Sequence, residues 1–283
     1  MPATWVCDTR LTQYRRNIGQ PSVEAACREL GLVVHVVDYD SKNPSLPTDL
    51  PEPGTGPVVA YGTIQFNSHF QRARPLDVPG AFHRRDRLGY AATAGHLGDL
   101  MLNEDFIILP YGEVLRRGCD GLGDAFFLKP EAVSKAFTGF VMTREKWAVE
   151  VETIRQKSGI GLDTLCVVAR PQAIEAEFRF VIADREVVTG SQYRWDDRLD
   201  VRLDVLPICR EVAEEVARRS WQPDRVYVCD VALLDGRSRA KVVELNAFSS
   251  SGLYACDTRA IVEAVSRAAE REFEGDILEG DVG

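Results

Sequence analysis

Asp230, Glu244 and Asn246 are the residues of this 283-residue chain whose types and spacing could do chemistry. Residues 226–234 (VYVCDVALL) and 240–248 (AKVVELNAF) are β-branched or apolar runs that flank the turn-forming stretch DGRSR. A hairpin folded about Arg237 sets position 230 opposite position 244, since both lie equally far from it. Side chains alternate along a strand, so Asp230, Glu244 and Asn246 emerge on one face. Two carboxylates opposed at about 5 Å repel each other. A hard cation between them, with the Asn amide oxygen as a further ligand, makes the arrangement favourable. Magnesium held by so few protein groups leaves its other positions to water and substrate phosphates. The competing reading is a pair of solvated strand charges, and the apolar neighbours on both strands speak against it.

A second hairpin carries another set of charges. Residues 175–182 and 187–195 flank Asp184 and Arg185. Ala176, Phe178, Phe180 and Ile182 face one way, and Glu175, Glu177 and Arg179 the other. A two-residue turn sets Arg194 opposite Glu175. This polar face reads either as solvated surface or as the wall of a site. Ser249, Ser250, Ser251 and Gly252 follow the acidic strand. They read either as a small-residue turn or as hydroxyl and backbone N–H donors for a substrate carboxylate. Tyr254 reads as core.

The elements that must position these residues fall into two segments. Residues 1–115 read as a small α/β domain. It has a strand at Trp5, a helix capped by Ser22 and ended by Gly31, and strands at 32–37 and 58–61 across a proline-rich connection. A helix at 88–102 and a strand at 106–109 follow. The pattern changes from about Gly118. Residues 126–129 are a short strand stopped by Pro130, 131–140 a loop, 144–157 a helix and 165–169 a strand. Helices at 208–219 and 260–273 carry apolar stripes (Ile208, Val212, Val216; Ile261, Val265, Ala269) that face the core.

Composition narrows the class. Hydrophobic residues at 45% and charged residues at 27% describe an ordinary globular protein, and a net charge of −9 argues against a general nucleic-acid coat. Seven scattered cysteines without a CxxC pair read as reduced thiols of a cytoplasmic protein. The histidines lack zinc-ligand spacing. No signal peptide or membrane-spanning apolar run is expected.

The order of parts is Lys129 at a strand end, a Ser/Thr/Gly loop, a helix, a hinge-like strand, an acidic–basic hairpin, then Asp230 and Glu244-Leu245-Asn246. This order resembles the ATP-grasp superfamily over residues 118–271, most specifically in Asp230 and ELNAFSSSG. The resemblance implies an ATP-grasp fold of two α+β lobes gripping ATP over 116–283, with lobes 116–170 and 171–283. The α/β domain at 1–115 would precede them and help hold the acceptor. Lys129 then contacts the nucleotide phosphates, and the loop with Ser134, Lys135, Thr138 and Gly139 closes over them. The strand at 165–170, with Val168, Ala169 and Arg170, borders adenine. Glu177 holds the ribose, with Glu175 competing for that role. Asp230, Glu244 and Asn246 are similar to the Mg²⁺ ligands. Several members carry an arginine or lysine two residues before the aspartate, where this chain has Val228. Arg179 or Arg194 must then supply that charge.

The activity implied is an ATP- and Mg²⁺-dependent carboxylate–amine ligase working through an acyl phosphate, on small-molecule or peptide substrates. Charge neutralisation by Mg²⁺, Lys and Arg is what phosphoryl transfer requires. Lys129 and Lys135 would hold phosphates, Arg179 and Arg194 the developing charge, and the 249–252 turn the substrate carboxylate. An RNA end-joining ligase on the same scaffold is the alternative, with Arg72, Arg74, Arg84, Arg85 and Arg87 tracking a phosphate backbone. A nucleotide-binding regulator without turnover is a third reading.

Overall fold

Beta-branched and aromatic runs bounded by Gly, Pro or Asp fold as strands, and amphipathic runs fold as helices. In chain order the elements are β1 (Thr4–Asp8), α1 (Thr9–Tyr14), α2 (Val23–Glu29), β2 (Val34–Val37), β3 (Pro57–Tyr61), α3 (Ile64–Ala73), β4 (Val78–Gly80) and α4 (Tyr90–Leu97). There follow β5 (Phe106–Pro110), α5 (Tyr111–Leu122), β6 (Ala125–Pro130), β7 (Phe140–Thr143), α6 (Trp147–Lys157) and β8 (Leu165–Ala169). The chain ends with β9 (Ala176–Ala183), β10 (Glu186–Trp195), β11 (Arg198–Arg202), α7 (Pro207–Arg218), β12 (Val226–Leu234), β13 (Arg239–Ala247) and α8 (Thr258–Phe273). The computed structural model describes residues 1–14, 18–132, 137–157, 160–234, 236–276 and 278.

Residues 1–84 and 174–283 form one compact unit, and residues 85–173 form another. The first holds a parallel sheet in the order β2-β1-β3-β4 and a five-stranded sheet in the order β11-β10-β9-β12-β13. One core serves both sheets. Trp5, Cys7, Val59 and Tyr61 cluster with Val181, Val226, Val228, Phe248 and the α8 residues Ile261, Val262 and Val265. Helix α8, capped by Asp257 accepting from Ala260 N at 3.0 Å, brings Ser266 to Trp5, whose Nε1 donates to its Oγ at 3.0 Å. This shared core is why the units differ from the expected segments 1–115 and 116–283: the amino-terminal sheet is sealed by the last helix.

In the second unit the antiparallel sheet β5-β8-β6-β7 buries Phe126, Leu128, Met142, Cys166 and Val168 with Tyr111, Val114 and Ile154. The compositional change near Gly118 is not a boundary between domains. It is a kink inside α5, where Gly118 adopts φ 54° and ψ −162°.

Just before β12, Asp224 is 3% exposed and accepts from the backbone N–H of Arg84 (3.3 Å) and Arg225 (2.8 Å). Burial pushes its carboxyl up to about 7; Arg84 opposes this and the Glu272 charge adds to it. The folded value thus lies above the unfolded one. Between about pH 4 and 7 the unfolded chain ionises Asp224 while the folded chain keeps the proton, so stability falls as pH rises through that window. Whatever constant offset Asp224→Asn introduces, urea denaturation from pH 5 to 7 should show the variant gaining on wild type by roughly 1 kcal/mol per pH unit. Parallel pH profiles would contradict the assignment.

Candidate active site

The β12–β13 hairpin pairs Asp230 with Glu244, and a β-bulge makes it so. From the turn outwards the register runs Leu234↔Arg239 to Val231↔Val242, then shifts by one so that Asp230 meets Glu244. An unbroken register would have put Val243 opposite Asp230 and turned Glu244 and Asn246 to the other face. As it stands, Asn246 Nδ2 donates to Asp230 Oδ2 and to Glu244 Oε1, each at 3.1 Å. Asp230 and Asn246 are buried and Glu244 is half-buried.

On the other side β9 pairs Arg179 with Asp230. Arg179 grips that carboxylate with two bonds, Nε to Oδ1 at 2.8 Å and Nη2 to Oδ2 at 2.7 Å, and Nη1 donates to Gly252 O at 2.7 Å. Burial disfavours the guanidinium charge, but the Asp230 carboxylate outweighs it and raises the pKa above its ordinary value. Arg179, rather than Arg194, therefore stands beside the acidic pair.

Two further bulges correct the pairing expected for Arg194. The turn at Asp184 and Arg185 has both residues at positive φ, and register shifts after Val187 and after Gln192 move Arg194 opposite Glu177 instead of Glu175. Tyr193 is the extra residue of the second bulge, which lets consecutive side chains reach one carboxylate. Tyr193 Oη and Arg194 Nη1 donate to the two oxygens of Glu177, and Arg194 Nη2 donates to Asp197 at 2.8 Å. Burial, then the charges of Asp230 and Glu177, push the Tyr193 phenol well above its usual range and keep it a donor. Glu175 lies elsewhere, accepting from the backbone N–H of Gly236 at the hairpin end.

Tyr254 is not core. It is half-buried, stacks on Tyr193 with centroids 4.7 Å apart, and lies 5.0 Å from the Arg179 guanidinium. The serine turn also departs from the donor reading. Ser249 N donates to Phe82 O and Ser251 N to Phe248 O, Ser251 Oγ donates to Ala247 O, and both residues are buried. Gly252 O is taken by Arg179. Ser250 alone of the three serines is half-buried, with Oγ 3.4 Å from His83 Nδ1. Ser249, Ser251 and Gly252 thus form a structural turn. Its carbonyls are held by Asn67 Nδ2 on Ser249 O (2.9 Å) and Tyr61 Oη on Ser251 O (2.7 Å).

The second unit carries Lys129. It stands at the end of β6 with Nζ 5.0 Å from the centroid of the Tyr90 ring. Glu131 ties that strand to α4: its carbonyl accepts from Tyr90 N (3.1 Å) and its carboxylate from Ala91 N (3.1 Å). Gly139 packs so closely that a Cβ would lie 2.8 Å from the Phe127 ring and 3.0 Å from Lys129 Cβ. Ser134 and Lys135 lie outside the described residues. Val168 and Ala169 belong to β8, which is paired on both sides by β5 and β6. Their backbone groups are consumed by the sheet, so a backbone contact to adenine falls to the stretch that starts at the exposed Arg170. Of the basic cluster in the first third, Arg74 is spent internally on Asp77 and Pro51 O.

Chemically, two carboxylates and an amide are hard oxygen donors suited to a small divalent cation that completes its shell from water and phosphate. Among the described residues no group of three His, Cys, Asp or Glu gathers to hold a metal, so a cation here relies on the Asn246 amide as its third donor. The seven cysteines are buried free thiols. Burial and then the Asp230 charge push the Cys229 thiol well up, consistent with core filling rather than nucleophilic chemistry. No helix among the described residues is long and apolar enough to cross a membrane.

Residues 113–264, more than half of the chain, match an ATP-grasp domain family, the second family of its clade, and the chain belongs to that family. No curated protein matches it. Solved structures bear out the ATP-grasp fold. The ATP-grasp ligase PsnB complexed with its minimal precursor is 14% identical, with TM-score 0.56 over 94% of this chain and 99% of that one. The D-cycloserine synthetase DcsG is 11% identical, with TM-score 0.59 over 94% and 99%. The D-alanine–D-alanine ligase from Bacillus anthracis complexed with ATP is 11% identical, with TM-score 0.59 over 98% and 100%.

Proposed function

We propose that the chain is an ATP- and Mg²⁺-dependent carboxylate–amine ligase that works through an acyl phosphate. The observation that carries this reading is the convergence of Asp230, Glu244 and Asn246, with the Arg179 fork on Asp230. A substrate carboxylate attacks the γ-phosphorus of ATP, forming an acyl phosphate and releasing ADP. An amine then attacks the acyl carbon, phosphate leaves, and a proton is lost as the amide forms. Asp230, Glu244 and Asn246 would hold Mg²⁺, which neutralises charge on the polyphosphate when bound. Lys129 meets the phosphates as a compact charge, and Arg179 offers N–H groups to the transferring oxygens. Glu177 orients Arg194, which is placed for the acceptor, and its remaining lone pairs serve the ribose hydroxyls.

Support for an amide-forming reaction comes from the family and from the names of the similar structures, whose acceptors are a precursor peptide in one case and small molecules in others. Peptide or small-molecule carboxylates and amines are accordingly the substrates we assign. Seven buried thiols support a reducing, cytoplasmic setting. The test is product identity. Phosphorus NMR of the chain with Mg·ATP and mixed carboxylates and amines should show ADP and orthophosphate. AMP and pyrophosphate would instead point to the nucleotidyl transfer of an RNA-joining enzyme.

A further inference from the structure

Two separate departures from regular backbone build the Tyr193–Tyr254 pair. Tyr193 is the extra residue of a β-bulge, which re-aims its side chain onto the face of Arg179. Tyr254 holds φ 53°, a left-handed conformation that bulky residues rarely adopt, and its carbonyl is pinned by Ile18 N at 2.9 Å. The outcome is two rings stacked at 8°, with Arg179 5.0 Å from one centroid and 5.6 Å from the other. Aliphatic packing on regular backbone would fill the same space. What the two irregularities add is a pair of π faces against one guanidinium.

Arg179 has five N–H donors. Two go to Asp230 and one to Gly252 O. One N–H on each terminal nitrogen is left without a partner among the described residues. We propose that Tyr254, braced by Tyr193, is a positioning residue that aims these two donors at the γ-phosphoryl oxygens of a bound nucleoside triphosphate. This rests on the role given to Arg179 above. Asp230 fixes one edge of the guanidinium, and the rings restrict its remaining freedom to rotate out of plane.

Calorimetric titration of the full chain with Mg·ADP and with Mg·AMPPNP tests it, since only the second carries a γ-phosphoryl group. Tyr254→Ala should weaken Mg·AMPPNP by roughly 3- to 30-fold and leave Mg·ADP unchanged. Tyr193→Leu should give the same split, and Tyr254→Phe, which keeps the ring, should stay close to wild type. In an Arg179→Ala background, Tyr254→Ala should add nothing. Equal weakening of both nucleotides, or phenylalanine as damaging as alanine, overturns the proposal. If Arg179→Ala weakens Mg·AMPPNP and Tyr254→Ala does not, the tyrosine role alone falls. If Arg179→Ala has no effect, the arginine assignment falls and takes the tyrosine role with it.

Discussion

Glu244→Gln is expected to weaken Mg·AMPPNP binding by roughly 100-fold or more, with the melting temperature within about 2 °C of wild type. Glu244 is half-buried on β13 and accepts from Asn246 Nδ2 at 3.1 Å. A glutamine carbonyl can keep that bond, so the hairpin loses little. What goes is one of the two negative charges that would make the site attractive to a divalent ion. Titration with and without Mg²⁺ separates the effects: the variant should bind the metal-free nucleotide about as well as wild type does. A variant that retained the full Mg²⁺ enhancement would remove Glu244 from the metal site.

Asp230→Ala should behave differently, costing about 3–5 kcal/mol of stability by urea denaturation. The loss comes from Arg179, which is 4% exposed and would be left as a buried cation without its carboxylate. Removing both charges tests the cause. Arg179→Met with Asp230→Ala should recover at least half of the loss, because no ion then remains to be desolvated. An additive double variant would mean that packing, not charge, is what Asp230 contributes. By contrast, truncating the exposed Arg144, which pairs with Asp124 at 2.7 Å, should change stability by well under about 1 kcal/mol.

The contrast between these carboxylates shows what the sequence discloses and what it does not. The acidic trio was legible because strand alternation and a turn-rich break are local signals, and hairpin counting carries them across to the partner strand. The counting reached the right pair by folding about Arg237, whereas the chain reaches it with an even loop and a bulge before Glu244. Arg194 shows the limit. Two bulges move it by two positions, which preserves the face but changes the partner from Glu175 to Glu177. Nothing in residue types announces a bulge at Tyr193. A positive φ at Tyr254 is equally silent, since propensity argues against it.

Missed elements have similar causes. Helix α3 alternates Phe66 and Phe70 with Asn, Ser and His, a weak stripe, although its Thr63 cap was there to be read. Strand β11 is a short charged edge that only its pairing to β10 defines. The serine turn misled because exposure was assumed. Burial of Ser249 and Ser251 depends on Asn67 and Tyr61, distant in sequence, which no local pattern connects to them. The division into units likewise depends on α8 packing on the first strand, a contact between opposite ends of the chain.

The most direct test of the central claim is a crystal structure of the chain with Mg·AMPPNP. The account predicts one Mg²⁺ at about 2.1 Å from oxygens of Asp230, Glu244 and Asn246, also ligated by the nucleotide phosphates. Asn246 should have turned its amide over, so that Oδ1 rather than Nδ2 faces the carboxylates. Density showing Asn246 Nδ2 still donating to both carboxylates, with the metal and phosphates bound by other residues, would contradict it.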